Sequence, residues 1–177
     1  MIPGAILLNF AGAKLALALE LPLFLDSIGT ILAGALGGLL PGITVGFFSN
    51  ALNSIGDPIT LYYGLISILI GMVAVFFSQR GCFIRYGKTL LSSLAFALIG
   101  GGLGSLLTWL LYGLNIGYGI SAPLAMQLYI RTGASAFLAQ LIADMGIDLL
   151  DKAITLSIVF LALRALPDRL LSKLPNG

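Results

Sequence analysis

The stretch that decides the fold runs from Leu21 to Asp57 and reads LPLFLDSIGTILAGALGGLLPGITVGFFSNALNSIGD. It places single acids and amides inside sequence that is otherwise apolar and rich in glycine. The polar positions lie toward its two ends, and a glycine and proline break at residues 37–42 lies between them. Because glycine and proline interrupt helices, this pattern predicts two short helices joined by a turn, with their polar groups at one outer edge. We interpret that edge as part of a small-molecule pocket.

The whole chain has the composition of an integral membrane protein. Of its 177 residues 59% are hydrophobic and only 9% are charged, and the mean hydropathy is +1.08. About a quarter of the residues are charged in a typical globular domain. Apolar runs of this length predict helices, since barrel strands would alternate in polarity. We therefore predict an all-α, single transmembrane domain over residues 1–177.

Six helical spans are predicted from the apolar runs, because a bilayer core is crossed by roughly 20 apolar residues. They cover residues 3–20, 22–40, 42–55, 59–79, 89–112 and 147–166. The third is short, and in an alternative arrangement residues 22–55 form a re-entrant hairpin that leaves four full spans. The last helical pattern extends from Thr132 to Leu166. At about 1.5 Å per residue this is roughly 50 Å of helix, so we expect the sixth helix to be long and to bend near Gly146.

The basic residues predict the orientation of these spans. One loop contains Arg80, Arg85 and Lys88, and the last span is followed by Arg164, Arg169 and Lys173. Cytoplasmic loops are enriched in lysine and arginine, so both groups and both termini are predicted to be cytoplasmic in a multi-pass plasma-membrane protein. The 20–26 corner, the 53–58 loop and the 113–132 connection then lie outside.

Six of the seven acidic residues fall at the outer face or in the outer half under this orientation. They are Glu20, Asp26, Asp57, Asp144, Asp148 and Asp151. Only three bases, Lys14, Arg131 and Lys152, accompany them. We predict that these acids bind the ligand, and their excess favours a ligand that is cationic or rich in hydrogen-bond donors.

A polar stripe on the last helix is the second feature that predicts a site. Gln140, Asp144, Asp148, Asp151 and Thr155 follow one another at steps of three or four residues, which places them on one helical face. Ionisable groups inside a membrane are costly unless they are paired or hydrated, so we expect this face to line a wet cavity. In the alternative, an ion pair between the residues at 148 and 152 only pins the helix to its neighbours.

Other candidate binding residues also have purely structural interpretations. Asp26 and Ser27 are predicted to bind ligand, or else to cap the second helix. Asn50 and Asn53 are predicted to line the pocket, or else to hydrogen-bond between helices.

Aromatic residues also gather toward the outer side. They are Tyr62, Tyr63, Trp109, Tyr112, Tyr118 and Tyr129. Such residues commonly form a belt at the membrane interface. The alternative is that Tyr63 and Trp109 stack on a flat ligand ring.

The residue inventory limits the chemistry that the chain itself performs. It has no histidine and a single cysteine, Cys82, which argues against disulfides, structural zinc and histidine-dependent catalysis. The GKT tripeptide at residues 87–89 resembles the end of a P-loop, but Cys82 stands where the first glycine is required. A net charge of +2 does not indicate nucleic acid. We expect no enzyme, cofactor or metal site, with an aspartyl protease built on Asp144 and Asp148 as the alternative.

Several segments together resemble a known family. Leu21-Pro22-Leu23 is followed by LDSIGT at residues 25–30, a Gly/Pro turn and Asn50, and the last helix contains DLLDKA at residues 148–153. In these motifs, in length and in predicted spans the chain is similar to the substrate-binding S components of energy-coupling factor (ECF) transporters. The LDSIGT variant also resembles S-component-like membrane domains fused to sensor kinases.

The resemblance implies a protein that captures a vitamin-like molecule or micronutrient outside the cell. It would dock on a transmembrane coupling subunit that is driven by two cytoplasmic ATPases. In that family small residues on the first helix contact the coupling subunit, and Gly12 and Ala16 are the nearest match. Family pockets also involve the third loop, which carries over to Asn53 and Asp57. The alternative is a sensory domain that binds a ligand and signals to a partner kinase or cyclase.

Overall fold

A computed structural model describes residues 1–113, 116 and 119–167, and within them the chain is built from helices. The α-helices are α1 (Ile2–Ala18), α2 (Ile28–Gly37), α3 (Leu39–Asn53), α4 (Gly64–Gln79), α5 (Tyr86–Ala97), α6 (Gly104–Leu111), α7 (Ala122–Thr132) and α8 (Ala136–Arg164). A π-helical turn, Leu98–Leu103, joins α5 to α6, and short 3-10 turns precede α4 and α5. The predicted all-α class is confirmed.

Two helical segments of the described chain are long and apolar enough to cross a membrane. They are Pro58–Gln79, which contains α4, and Tyr86–Leu111, which contains α5, the π-helical turn and α6. They correspond to the predicted spans 59–79 and 89–112. The helices α1 and α2 are apolar but shorter.

The opening stretch forms two short helices joined by a turn, as predicted. The turn is at Gly38, whose φ of 83° lies in the left-handed region that glycine adopts readily. However, the predicted span 22–40 is wrong in length, because residues 19–27 are not helical and α2 has only 10 residues. Since α3 has 15 residues, the second helix is shorter than the third, whereas the third span was predicted to be the short one.

The region between residues 113 and 136 also differs from the prediction. The helix α7 occupies part of what was expected to be a connection, and it ends at Gly133, where φ is 67°. The Ser135 hydroxyl then caps the next helix by accepting from the Leu138 N–H at 3.3 Å. The last helix, α8, therefore begins at Ala136 rather than Thr132, and its 29 residues run through Gly146 as continuous α-helix.

A buried polar network ties α1 to α2 and α3. The Asn9 amide nitrogen donates to Thr30 Oγ1 at 2.8 Å and to Ser49 Oγ at 2.9 Å, and its Oδ1 accepts from the Gly29 N–H at 2.6 Å. The side chains of Asn9, Thr30 and Ser49 are all at most 1% exposed. These bonds give three otherwise apolar helices one fixed alignment.

The residues predicted to dock a coupling subunit face the interior of the chain. A Cβ on Gly12 would collide with the Leu25 carbonyl oxygen. Ala16 is buried and packs with Leu23 and Leu25. Both small residues therefore make room for the 19–27 segment, which corrects the prediction that they form a surface for a partner.

The C-terminal end of α8 meets the loop between α4 and α5. The Arg164 guanidinium donates to the Ile84 carbonyl at 3.3 Å, and Arg80, Arg85 and Lys88 are exposed nearby in the chain. This contact brings Arg164 to the same end of the molecule as Arg80, Arg85 and Lys88. Arg169, Lys173 and Tyr118 lie outside the described residues.

Candidate ligand-binding cavity

A cavity of about 120 Å³ lies beside the first half of α4, whose other end leads into the basic loop at residues 80–88. Its walls come from the 19–27 segment, the first turns of α4, the π-helical turn with α6, the residues before α7 and the middle of α8. The charged residues that line it are Asp26, Asp144, Asp148 and Lys152. An engineered cavity of about 150 Å³ admits benzene, so this volume suits a molecule of about one small ring.

Asp144 is held in the cavity wall by two neighbours. Its Oδ1 accepts a short hydrogen bond from the Ser121 hydroxyl and a second one, at 2.9 Å, from the Gln140 amide one turn earlier on α8. The same amide also reaches Ser121 Oγ at 2.9 Å. The other carboxylate oxygen of Asp144 is buried and has no hydrogen-bond partner in the described chain. Hydrogen bonds therefore hold Asp144 Oδ1 in place, whereas the hydrogen-bonding capacity of Oδ2 is unsatisfied.

A buried ion-pair cluster continues down the same helix. The Lys152 ammonium lies 2.6 Å from Asp151 Oδ2 and 3.3 Å from Asp148 Oδ1. All three residues are at most 3% exposed. The ammonium therefore lies closer to Asp151 than to Asp148. Asp148 Oδ2 is buried without a hydrogen-bond partner among the described residues, so the Asp148 carboxylate is only partly satisfied.

Asp151 ties the 19–27 segment to α8. Its Oδ1 accepts from the backbone N–H groups of Phe24 at 2.9 Å and Leu25 at 2.8 Å. These bonds hold the non-helical segment in place, since two of its N–H groups are bound by a side chain that is more than 120 positions away in the sequence. As a result, Phe24 and Asp26 reach the cavity.

Tyr63 reaches the cavity from the start of α4. Its hydroxyl lies 2.6 Å from Thr108 Oγ1, and Thr108 in turn donates to the Gly104 carbonyl at 2.9 Å. The Tyr63 hydroxyl is therefore the donor, and the bond links α4 to α6 across the cavity. Trp109, the other residue predicted to stack on a ligand, packs against Phe137 with ring centroids 4.9 Å apart and is not part of the cavity wall.

The cavity brings together four of the ten predicted binding residues, namely Asp26, Tyr63, Asp144 and Asp148. Asp151 is predicted correctly to lie on the same helix face, but its oxygens are used within the chain. Asn50 donates to Ser67 Oγ at 2.7 Å and so links α3 to α4. This contact agrees with the alternative prediction, in which Asn50 forms a hydrogen bond between helices.

The remaining predicted residues are not part of the cavity wall. Glu20 is exposed in the segment after α1, and Asp57 is exposed and accepts from the Ile59 N–H at 3.2 Å, which caps a 3-10 turn. Ser27 is buried at the start of α2 and does not cap it through its side chain. Asn53 is half-buried in the last turn of α3, so the prediction that it shares the cavity with Asp26 is wrong.

The cavity residues that were missing from the predicted set include Lys152, Ser121 and Thr108. Lys152 was recognised from its spacing only as an ion-pair partner, whereas Ser121 and Thr108 carry no sequence signal of their own. Ser121 directly precedes α7, which packs against α8, and Thr108 lies in α6. Serine and threonine are common in membrane helices, so their residue type alone does not indicate a site.

Glycine at position 100 allows the π-helical turn to approach Asp148. A Cβ added there would lie 2.7 Å from Asp148 Oδ1 and 2.8 Å from its Cγ. π-helical turns often occur at functional sites. In this chain the turn makes one wall of the cavity and packs closely against Asp148, which lines the same cavity.

We expect Gly100→Ala to lower the free energy of unfolding by about 1–3 kcal/mol, the usual cost of overpacking. Gly104→Ala is the matched control, because it also lines the cavity but an added Cβ there meets nothing within 4 Å. Alanine at that helical position should be neutral or stabilising by up to about 1 kcal/mol. Denaturant unfolding in mixed micelles measures both, and equal effects would contradict the close contact with Asp148.

Comparison with known proteins found no matching family model, no matching curated protein and no matching solved structure. Function is therefore inferred from the fold and the cavity. Together they define a class, an all-helical protein with apolar helices and a small acidic cavity between them.

Proposed function

We propose that the chain is the membrane-embedded substrate-capture subunit of an ECF-type uptake system, and that it binds a small vitamin-like or micronutrient molecule in an outward-facing pocket. The observation that carries the proposal is the pair of buried, unpartnered carboxylate oxygens of Asp144 and Asp148 beside the cavity. A buried polar atom without a partner is costly, and a donor on a ligand removes that cost. The resemblance of the sequence to S components supports the same function.

A six-span topology in the plasma membrane suits this function. The membrane segments would be α1, α2, α3, α4, the Tyr86–Leu111 segment and α8, with both termini in the cytoplasm. Large apolar side chains on two of these segments face outward, as Leu65, Leu91 and Leu110 do with exposures of 65%, 67% and 70%. Exposed apolar surface of this kind suits lipid. The basic loop then lies in the cytoplasm and the cavity opens outside.

In this proposal the chain binds its substrate and performs no reaction. A transmembrane coupling subunit and two cytoplasmic ATPases supply the energy for uptake. The pocket is built from fixed hydrogen bonds, such as those of Asp144 and Tyr63, and such preorganisation favours tight binding.

Native mass spectrometry of the chain in mild detergent tests the proposed capture. We expect one small molecule to co-purify with the wild-type chain and to be lost from Asp148→Asn. Asp57→Asn is the matched control, because Asp57 is exposed and lies outside the cavity, and it should retain the molecule. A bound molecule that is equally abundant in both variants would contradict the assignment of the site.

Uptake by whole cells separates transport from the alternative, a sensory domain that signals to a kinase or cyclase. If the chain is a transport subunit, cells accumulate the co-purifying molecule in an ATP-dependent manner, and this accumulation is lost in cells that lack the chain. A sensory domain would bind the same molecule and leave its accumulation unchanged.

A further inference from the structure

We infer that the ligand is a small organic cation whose N–H donors bind Asp144 and Asp148. This inference rests on the proposed function, because it names the substrate class for the same cavity. It is carried by the charges around the cavity, by the two unsatisfied carboxylate oxygens and by the size of the space between the walls.

The charges that face the cavity do not balance within the described chain. Asp26, Asp144 and Asp148 line it, and Lys152 is the single base among the described lining residues. That ammonium lies closer to Asp151, at 2.6 Å, than to Asp148, at 3.3 Å. Lys14 and Arg131, the other bases predicted on this side, are exposed and are not part of the cavity wall. Asp148 is buried, and Asp26 and Asp144 are half-buried. Charge that is withdrawn from water without a partner is destabilising, so a cationic ligand is favoured over a neutral or anionic one.

We place the donors of the ligand at Asp144 and Asp148, because both residues line the cavity and each has an unsatisfied carboxylate oxygen. Asp148 is only 3% exposed, and its Oδ2 has no partner in the described chain. Asp144 Oδ2 also has no hydrogen-bond partner in the described chain, whereas Asp144 Oδ1 accepts hydrogen bonds from Ser121 and Gln140. Four residues apart on one helix, the two side chains are offset by about 6 Å along its axis. Nitrogen donors on opposite edges of one ring match this offset.

The remaining features favour an organic cation over a metal ion. The described residues contain no group of three or more acidic, histidine or cysteine side chains arranged to hold a metal. Phe24 and Tyr63 are in the wall, and aromatic rings attract organic cations. A volume of about 120 Å³ accommodates one small ring and its substituents.

Three probes of nearly the same shape test the charge class. They are 4-aminobenzamidine, which is cationic at pH 7, neutral 4-aminobenzamide and anionic 4-aminobenzoate. Titration calorimetry of the full chain in nanodiscs should give the amidine a Kd at least about tenfold lower than that of the amide, since a hydrogen bond to a charged group is worth about tenfold or more. Asp144→Asn should weaken amidine binding by a similar factor. Asp57→Asn should not change it.

The possible outcomes distinguish failure of the charge class from failure of the capture function. The cation assignment is overturned if the amide or the benzoate binds as tightly as the amidine, or if the molecule that co-purifies is neutral or anionic, and both results leave substrate capture standing. Absence of probe binding together with absence of a co-purifying molecule overturns both. The comparison of probes on the wild-type chain does not depend on the folding of any variant.

Discussion

Replacing Lys152 with methionine is expected to lower the free energy of unfolding by about 3–5 kcal/mol, because removal of one partner from a buried ion pair leaves uncompensated charge. Methionine keeps much of the volume of the side chain, which is 2% exposed, so the loss is electrostatic rather than a cavity effect. Asp148 and Asp151 would both remain buried without their cation. Denaturant unfolding in mixed micelles measures the change.

Two further variants make this prediction specific. Lys14→Met, on the exposed lysine of α1, should change stability by less than about 1 kcal/mol. The double variant Lys152→Met with Asp151→Asn should recover part of the loss, because the asparagine oxygen still accepts from the Phe24 and Leu25 N–H groups without carrying a charge. If the double variant is less stable than Lys152→Met alone, charge is not the cause.

The second large effect is expected at Asn9. Asn9→Leu removes three buried hydrogen bonds. Interhelical bonds in membranes are worth about 0.6 kcal/mol each on average, whereas a buried polar group left without a partner costs about 1–3 kcal/mol. We expect a loss of about 2–3 kcal/mol, since the Gly29 N–H lies in the first turn of α2 and has no carbonyl of its own helix to replace the amide.

The matched control is Asn53→Leu. Asn53 is half-buried at the end of α3 and lies outside both the Asn9 network and the cavity. Its replacement should change stability by less than about 0.5 kcal/mol. Similar losses in the two variants would show that the cost comes from removing any helical amide rather than from the network.

Both predictions concern polar contacts because these contacts align the helices. In the proposed membrane location, lipid is as apolar as leucine, so burial of leucine against leucine contributes little to helix association. The Asn9 network aligns α1 with α2 and α3, and the Asp151 bonds hold the 19–27 segment on α8. Loss of either should loosen the walls of the cavity as well as the fold.

Features that depend on near neighbours in sequence were predicted well. The all-α class, the long apolar helices and the two short helices around Gly38 follow from composition and from glycine and proline positions. The stripe on α8 follows from helical periodicity, which correctly placed Asp144, Asp148 and Asp151 on one face.

The composition of the cavity wall was predicted only in part. Periodicity gives the face on which a side chain lies, but it does not show what covers that face. Asp151 and Asp148 lie on the same face, yet the backbone of residues 24–25 covers the first and the cavity lies beside the second. Asn9 was not predicted at all, because a single amide in an apolar helix carries no pattern.

The sequence by itself thus determined the class of the protein, the positions of most helices and the acidic character of one end, since these properties come from hydrophobicity and local backbone preference. Only the tertiary structure decided that Asp151 binds the backbone of residues 24–25 and that Asp26, Asp144 and Asp148 meet at one cavity. The physical reason is that these contacts join residues more than 100 positions apart. Their hydrogen bonds override the local preference of the chain, and no local pattern records them.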